Sequence, residues 1–270
     1  TTLTPGNTQV VVSWSAPATG GSAITDYDLE YSSNNGSTWT AWAANTTSTA
    51  TSVTVTGLTN GTSYVFRVLA KNAAGSSVNS STSSASIPCV VPTAPGQPVL
   101  TAGDQQISVT WTTPTSNGGR AITDYVIERY PNTAGADAWG VFADDVSTLT
   151  TYVNTGLTNG VAYYYRVSAV NPAGTGPVST QSMWIKPVGP TVAPTSVVGT
   201  AGNTQVSLTW TAPAANGAPI TSYTAQAYND SGTAVAGATC TISAPSTTCD
   251  VTTNLIAGTA YTFKVTATNA

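Results

Sequence analysis

A chain of 270 residues with 7% charged residues, no histidine and a net charge of −4 lacks the basic surface that nucleic acid or anionic lipid would attract. Without histidine there is no Ser-His-Asp or Cys-His arrangement and no imidazole metal site. At 40% hydrophobic the chain can still bury cores, although no apolar run nears the ~20 residues that a membrane span requires.

The first element reads as a strand: Val10, Val12 and Trp14 alternate with Gln9, Val11 and Ser13, the period of two that a half-buried strand needs. A turn-forming loop, Pro17-Ala18-Thr19-Gly20-Gly21, leads to a second strand that opens Ile24-Thr25-Asp26-Tyr27. A turn at Leu58-Thr59-Asn60-Gly61 then precedes the strand Tyr64-x-Phe66-x-Val68-x-Ala70. The same series returns twice. Trp14, Trp111 and Trp210 stand 97 and 99 residues apart, and Tyr27, Tyr125 and Tyr223 stand 98 and 98 apart. Leu58, Leu157 and Leu255 keep that period, as do Tyr64, Tyr163 and Tyr261. Four landmarks on one period predict three copies of one unit, at 1–90, 91–188 and 189–270. Short strands separated by turn signals predict an all-β, antiparallel sandwich for each.

Three features resemble fibronectin type III domains: a Trp closing what is the family's second strand, Ile-Thr-x-Tyr opening the family's third, and Leu-x-x-Gly-x-x-Tyr running into Tyr-x-aromatic-x-Val-x-Ala. The resemblance covers essentially the whole chain. It implies an immunoglobulin-like sandwich, and a tyrosine corner in which Tyr64, Tyr163 and Tyr261 bond back to the preceding turn. The Ala-Pro and Asn-Gly-Gly loops are similar to those of the bacterial, Thr-rich branch found in secreted and surface proteins. Repeat two is led in by Pro92-Thr93-Ala94-Pro95 and repeat three by Pro190-Thr191-Val192-Ala193-Pro194; repeat one has no such leader. Repeat three stops at Asn269-Ala270 where repeat two continues Asn171-Pro172-Ala173-Gly174, so the third sandwich is expected to lack its last strand and the chain to be part of a longer array. Proline-dense junctions at 88–95 and 187–194 are semi-rigid. They predict an extended rod on the order of 100 Å long.

Candidate functional residues are few. Glu30 and Glu128 are expected to pair across strands with Arg67 and Arg166, while Lys264 takes the same strand position in repeat three. Asp26, Asp28 and Glu30 share one strand face; without a glycine-containing oxygen loop this reads as a solvated polar face and not a calcium site. Cys240 and Cys249 flank a turn-rich stretch and are expected to form a disulfide, two reduced buried thiols being the alternative. Cys89 is left over. Trp39, Trp42 and Trp139 fall outside the repeat pattern and are the candidates for stacking on sugar or touching a partner. No residues point to a cofactor or to catalysis.

These readings give an extracellular spacer array of a bacterial surface stalk, adhesin shaft, sheath or self-associating filament. Its partners would be neighbouring domains or further copies. The alternatives are an accessory glycan-binding tract of a secreted polysaccharide-degrading enzyme, or a tail or decoration protein of a bacterial virus.

Overall fold

Alternation decides which face each strand buries, and the computed structural model shows the outcome for all residues except 43–45, 132–137 and 142–144. Among the described residues there is no helix. In repeat one, β1 (Thr2–Gly6), β2 (Gln9–Ser13) and β5 (Ser52–Thr56) form one sheet in the order β1-β2-β5. The facing sheet holds β3 (Ile24–Ser32), β4 (Thr40–Trp42), β6 (Val65–Asn72) and β7 (Gly75–Ser76) in the order β4-β3-β6-β7. Repeat two repeats this plan. Its β8 (Val99–Gly103), β9 (Gln106–Thr110) and β12 (Thr151–Thr155) face β10 (Asp124–Tyr130), β11 (Gly140–Val141), β13 (Tyr164–Asn171) and β14 (Gly174–Thr175). In repeat three, β15 (Thr195–Ala201), β16 (Val206–Thr211) and β19 (Thr248–Val251) face β17 (Ile220–Tyr228), β18 (Ala234–Ser243) and β20 (Thr262–Asn269), in the order β18-β17-β20. All pairings are antiparallel.

Each sandwich closes on its own core. Val10, Val12, Tyr27, Leu29 and Phe66 anchor the first, Ile107, Val109, Tyr125 and Tyr165 the second, and Leu208, Trp210, Tyr223 and Val251 the third. Burying each such side chain stabilises its unit by about 1.5–3 kcal/mol. Trp14, Trp111 and Trp210 stay in separate interiors, packed against Tyr27, Tyr125 and Tyr223 with ring centroids 5.2, 5.3 and 5.4 Å apart. The tyrosine corner is present in every repeat. The phenol oxygens of Tyr64, Tyr163 and Tyr261 accept from the backbone N–H of Thr59, Thr158 and Ile256, each at 3.1 Å.

Beyond β7 and β14 the last strand expected in repeats one and two is not a regular ladder. Ser77, Ser80, Ser83 and Ser86 donate their N–H groups to Ala70, Val68, Phe66 and Tyr64, three residues of the outer segment for every two of β6. A mismatch of that kind would orphan every second N–H of β6. The serine side chains prevent it: Ser77, Ser80 and Ser83 Oγ accept from the N–H of Ala70, Val68 and Phe66 at 2.9, 3.1 and 2.9 Å. Repeat two does the same with Ser179 and Ser182 against Val167 and Tyr165. Satisfied backbone groups at a sheet edge are what a period of three requires of the sequence.

In repeat three Phe263 is only half-buried where Phe66 and Tyr165 are 0% exposed. The two sheets of that repeat are tied by the disulfide Cys240–Cys249, with Cα atoms 6.3 Å apart. It joins β18 of one sheet to β19 of the other. Repeat two differs in its interior. Arg129, 4% exposed, donates from Nη1 to Asn154 Oδ1 at 2.6 Å, and the Tyr165 hydroxyl donates to the same oxygen at 3.2 Å. Burial pushes the Tyr165 phenol pKa well above its ordinary value. Repeats one and three place Val55 with Phe66 and Val251 with Phe263 at those positions, so the polar pair belongs to the middle unit alone.

Candidate functional site: the joints between repeats and the tryptophan faces

The junctions are short, and their backbone bonds to the repeats on both sides. At the first, Pro88 O accepts from Gly61 N at 2.9 Å and Cys89 N donates to Gly6 O at 3.0 Å, which ties the linker to repeat one. The next residue changes allegiance. Val90 N donates to Gly118 O at 2.9 Å, and Val90 O accepts from Asn171 Nδ2 at 2.8 Å, both in repeat two. The second junction copies the first bond for bond. Pro187 O accepts from Gly160 N, Val188 N donates to Gly103 O, Gly189 N donates to Asn216 O, and Gly189 O accepts from Asn269 Nδ2 at 2.9 Å. Three consecutive linker residues thus share their polar groups between two domains. Proline rigidity alone would leave the joint free to swivel about the bonds it does not fix; these bonds remove that freedom.

Close approach of the two loops needs glycine. Gly118 and Gly119 have φ of +70° and +93°, and a Cβ on Gly118 would collide with the Val90 carbonyl oxygen. A Cβ on Gly119 would meet the backbone of Gly61. At the second joint Asn216 takes the place of Gly118 with φ +47°, a conformation asparagine tolerates. Its side chain adds two bonds. Asn159 Nδ2 donates to Asn216 Oδ1 at 2.8 Å, and Asn216 Nδ2 donates to Pro190 O at 2.7 Å. Asn60 and Asn159 hold the turn that each joint uses, because their Oδ1 atoms accept from Thr8 N and Gln105 N. Repeat three has Ala257 at that position. The sequence carried a signal for this: asparagine stands at both turns that enter these joints.

The polar strand faces form cross-strand stacks. Glu30 lies directly opposite Arg67, and Glu128 opposite Arg166. Their ion pairs measure 2.6 and 2.8 Å, and the hydrogen bond that Arg166 donates to Glu128 holds the guanidinium pKa above its ordinary value against a smaller opposing effect of burial. Each guanidinium also covers an indole: Arg67 sits 4.1 Å from the Trp39 ring centroid and Arg166 4.4 Å from that of Trp139. One face of both tryptophans is therefore engaged within its own sandwich. Trp42 packs half-buried against the core of repeat one. Lys264 lies 4.6 Å from the Tyr228 ring.

One expectation is corrected. Asp26 is not on the solvated face with Asp28 and Glu30; it is 6% exposed. The register shifts between Ile24 and Asp26, and this irregularity turns the carboxylate inward. Its Oδ1 accepts from Thr46 Oγ1 at 2.7 Å and from Ser48 N at 3.3 Å, clamping the loop that follows β4. Burial acts to raise its pKa, but the hydrogen bonds from Thr46, Tyr27 and Ser48, with the charge of Lys71, outweigh it and hold the carboxyl below its usual value. Asp28 instead pairs with Lys71 at 2.7 Å. Among the described residues no cluster of three acidic, Cys or His residues could hold a metal. The aromatic that sequence reasoning missed is Trp184, 53% exposed beside Met183 at 75%. Both lie on the outer side of the segment whose Ser182 and Ile185 bond to Tyr165 and Tyr163, and the three-residue period is what aims them at solvent.

The model of the fibronectin type III domain matches residues 2–86, 93–183 and 192–270. The chain is 30% identical over 227 residues to the striated-muscle M-protein of Gallus gallus, a match covering 80% of this chain and 15% of that protein. It is 32% identical over 218 residues to protein sidekick-2 of Mus musculus, covering 75% and 10%. Against endoglucanase B of Cellulomonas fimi it is 31% identical over 175 residues, covering 62% and 16%. The chain thus spans less than a fifth of the length of these relatives. On the family match, and on sandwiches that each carry their own tryptophan core and tyrosine corner, the chain belongs to the fibronectin type III family as three consecutive domains.

Proposed function

We propose that this chain is an extracellular spacer: a stiff tract of a bacterial surface or secreted protein that holds whatever it is joined to at a fixed distance, with no catalytic role of its own. The observation that carries the reading is the pair of matching joints, in which residues 88–90 and 187–189 divide their backbone hydrogen bonds between successive domains. A flexible tether has no use for such bonds; a strut does. The disulfide between Cys240 and Cys249 supports an oxidising compartment. Small-angle scattering on the chain tests the reading. A strut gives a single, salt-independent maximum dimension on the order of 100 Å, whereas a distribution of shorter distances would reject it.

Trp184 favours a second reading, contact with polysaccharide. An indole 53% exposed, with Lys186 Nζ 5.8 Å from its ring centroid, offers the flat apolar face on which sugar rings stack, and the relative endoglucanase B has a name consistent with work on glycans. Trp39, Trp42 and Trp139 stay within this reading, although the first and third each present one face to arginine. Retention on insoluble polysaccharide, lost in Trp184→Ala or in Trp39→Ala with Trp139→Ala, would support it; no retention leaves the spacer reading alone.

A further inference from the structure

Asparagine followed by glycine is chemically labile, because a residue without a side chain leaves its backbone nitrogen open to the preceding carboxamide. The chain holds five such pairs: Asn35-Gly36, Asn60-Gly61, Asn117-Gly118, Asn159-Gly160 and Asn216-Gly217. All but the first stand at the two joints. The reaction needs nothing but solvent. The glycine nitrogen gives its proton to base and attacks the asparagine Cγ; the N–Cγ bond forms, the Cγ–Nδ2 bond breaks, and ammonia leaves. Water then opens the cyclic imide at either carbonyl, giving aspartate or isoaspartate.

At the second joint the closed structure engages both reacting groups elsewhere. Gly160 N donates to Pro187 O at 2.9 Å. The Asn159 carboxamide has three partners: Oδ1 accepts from Gln105 N at 2.9 Å, and Nδ2 donates to Asp104 Oδ1 at 2.7 Å and to Asn216 Oδ1 at 2.8 Å. Asn60-Gly61 is held in the same way, by Pro88 O on Gly61 N and by Thr8 N and Asn7 Oδ1 on the amide. Asn35 is exposed, and among the described residues no hydrogen bond holds its carboxamide. The product at 159 does not fit where the amide was. An aspartate sets an oxygen where Nδ2 now donates, against the Asp104 carboxylate and Asn216 Oδ1, with no proton to share among them. Asn216 cannot turn its amide to help without setting its own oxygen against Pro190 O. Isoaspartate adds a methylene to the main chain and draws Gly160 N off Pro187 O. At the first joint Asn7 can turn its amide and donate to an aspartate at 60, so that joint tolerates the change.

From this geometry we infer that Asn159-Gly160 is a self-modification site that turns the second joint from stiff to loose, irreversibly, once the joint has opened. The closed bonds protect the pair, opening exposes it, and the product bars reclosure. A rod bent or pulled at this joint thereby keeps a covalent record of the opening. The inference rests on the closed joint that underlies the spacer reading.

The test incubates the full chain in mildly alkaline buffer, with and without urea, and follows each asparagine by peptide mass mapping. In the folded chain Asn35 is expected to convert first, and Asn159 about tenfold or more slowly than in urea, the worth of its hydrogen bonds. Gly217→Ala opens the joint, because the added Cβ stands 2.5 Å from Pro187 O and 3.0 Å from Gly160 N. It should speed conversion of Asn159 roughly tenfold and leave Asn60 unchanged. Gly119→Ala, whose Cβ meets Gly61 N at 2.5 Å, should do the reverse. Asn159→Asp stands in for the product and needs no incubation. Amide exchange at Gly160 and Gly189 should rise about tenfold in it while β13 and β17 stay unchanged, whereas Asn60→Asp should leave the first joint closed. Conversion of Asn159 at its unfolded rate in a chain that scattering finds stiff, a Gly217→Ala rate equal to the parent's, or parent-like exchange in Asn159→Asp would each overturn this inference alone. A chain that scattering finds flexible from the outset would take the spacer reading down with it.

Discussion

Asn159 spans the second joint with its whole amide: Nδ2 donates to Asn216 Oδ1 of repeat three at 2.8 Å while Oδ1 accepts from Gln105 N of repeat two at 2.9 Å. The turn of one domain and the loop of the next are thereby fastened through a single side chain. Asn216→Gly removes the bond from Asn159 and the bond to Pro190 O and accommodates the positive φ, as Gly118 already does at the equivalent place. The expected result is a joint loosened and still bridged by its backbone bonds, as the first joint is with Gly118, read as faster amide exchange at Gly189 with each domain folded. The joint loses roughly 1–2 kcal/mol, from two hydrogen bonds.

Gly118→Ala acts on the first joint by a different route. The added Cβ meets the Val90 carbonyl oxygen and adopts a φ of +70°, so a cost above about 1 kcal/mol is expected. The linker should lift off repeat two. Amide exchange at Val90 should rise at least tenfold while that of the buried strands β9 and β13 stays unchanged.

Tyr163→Phe tests the corner of repeat two. The phenol oxygen accepts from Thr158 N at 3.1 Å, and the ring fills the same core space without it. Denaturant unfolding should lose about 0.5–1.5 kcal/mol with no change in m-value. Tyr64→Phe should cost repeat one a similar amount.

Reduction is expected to strike repeat three alone. The disulfide closes a loop with a sequence separation of 9, which corresponds to about 2–3 kcal/mol in the loop-entropy view. Calorimetry with and without reductant should show one transition moving down and the other repeats unmoved. Cys240→Ser with Cys249→Ser should reproduce the shift without reductant.

Acid should weaken repeat one through Asp26. Its folded-state pKa lies below the ordinary aspartate value of 3.8, so its contribution is whole above the unfolded pKa and is lost as the pH falls through the folded one. Melting of repeat one should therefore drop below about pH 4, and Asp26→Asn should flatten that slope. Repeat three, with Ser222 at the equivalent position, supplies the internal control.

Period two along Gln9–Ser13 and Tyr64–Ala70, and the recurrence of Trp14, Tyr27, Leu58 and Tyr64 at one spacing, determined three sandwiches and most of their buried faces from the sequence alone. Pleating is local, so the chain states it directly. Glu30 with Arg67 and Glu128 with Arg166 were legible for the same reason, since equal strand positions in a repeated hairpin face one another. Asp26 was not, because a register irregularity two residues upstream inverts the face it occupies. The serines at 77, 80, 83 and 86 were plain to see, but their period of three gains meaning only beside the N–H groups of β6. Trp184 takes its exposure from that same segment. The joints needed tertiary structure most of all: Asn171 reaches Val90 and Asn269 reaches Gly189 across 81 and 80 residues, and nothing local to either asparagine says which carbonyl it will hold. Local geometry wrote the domains, and the packing of one domain's turn against the next one's loop decided how they are joined.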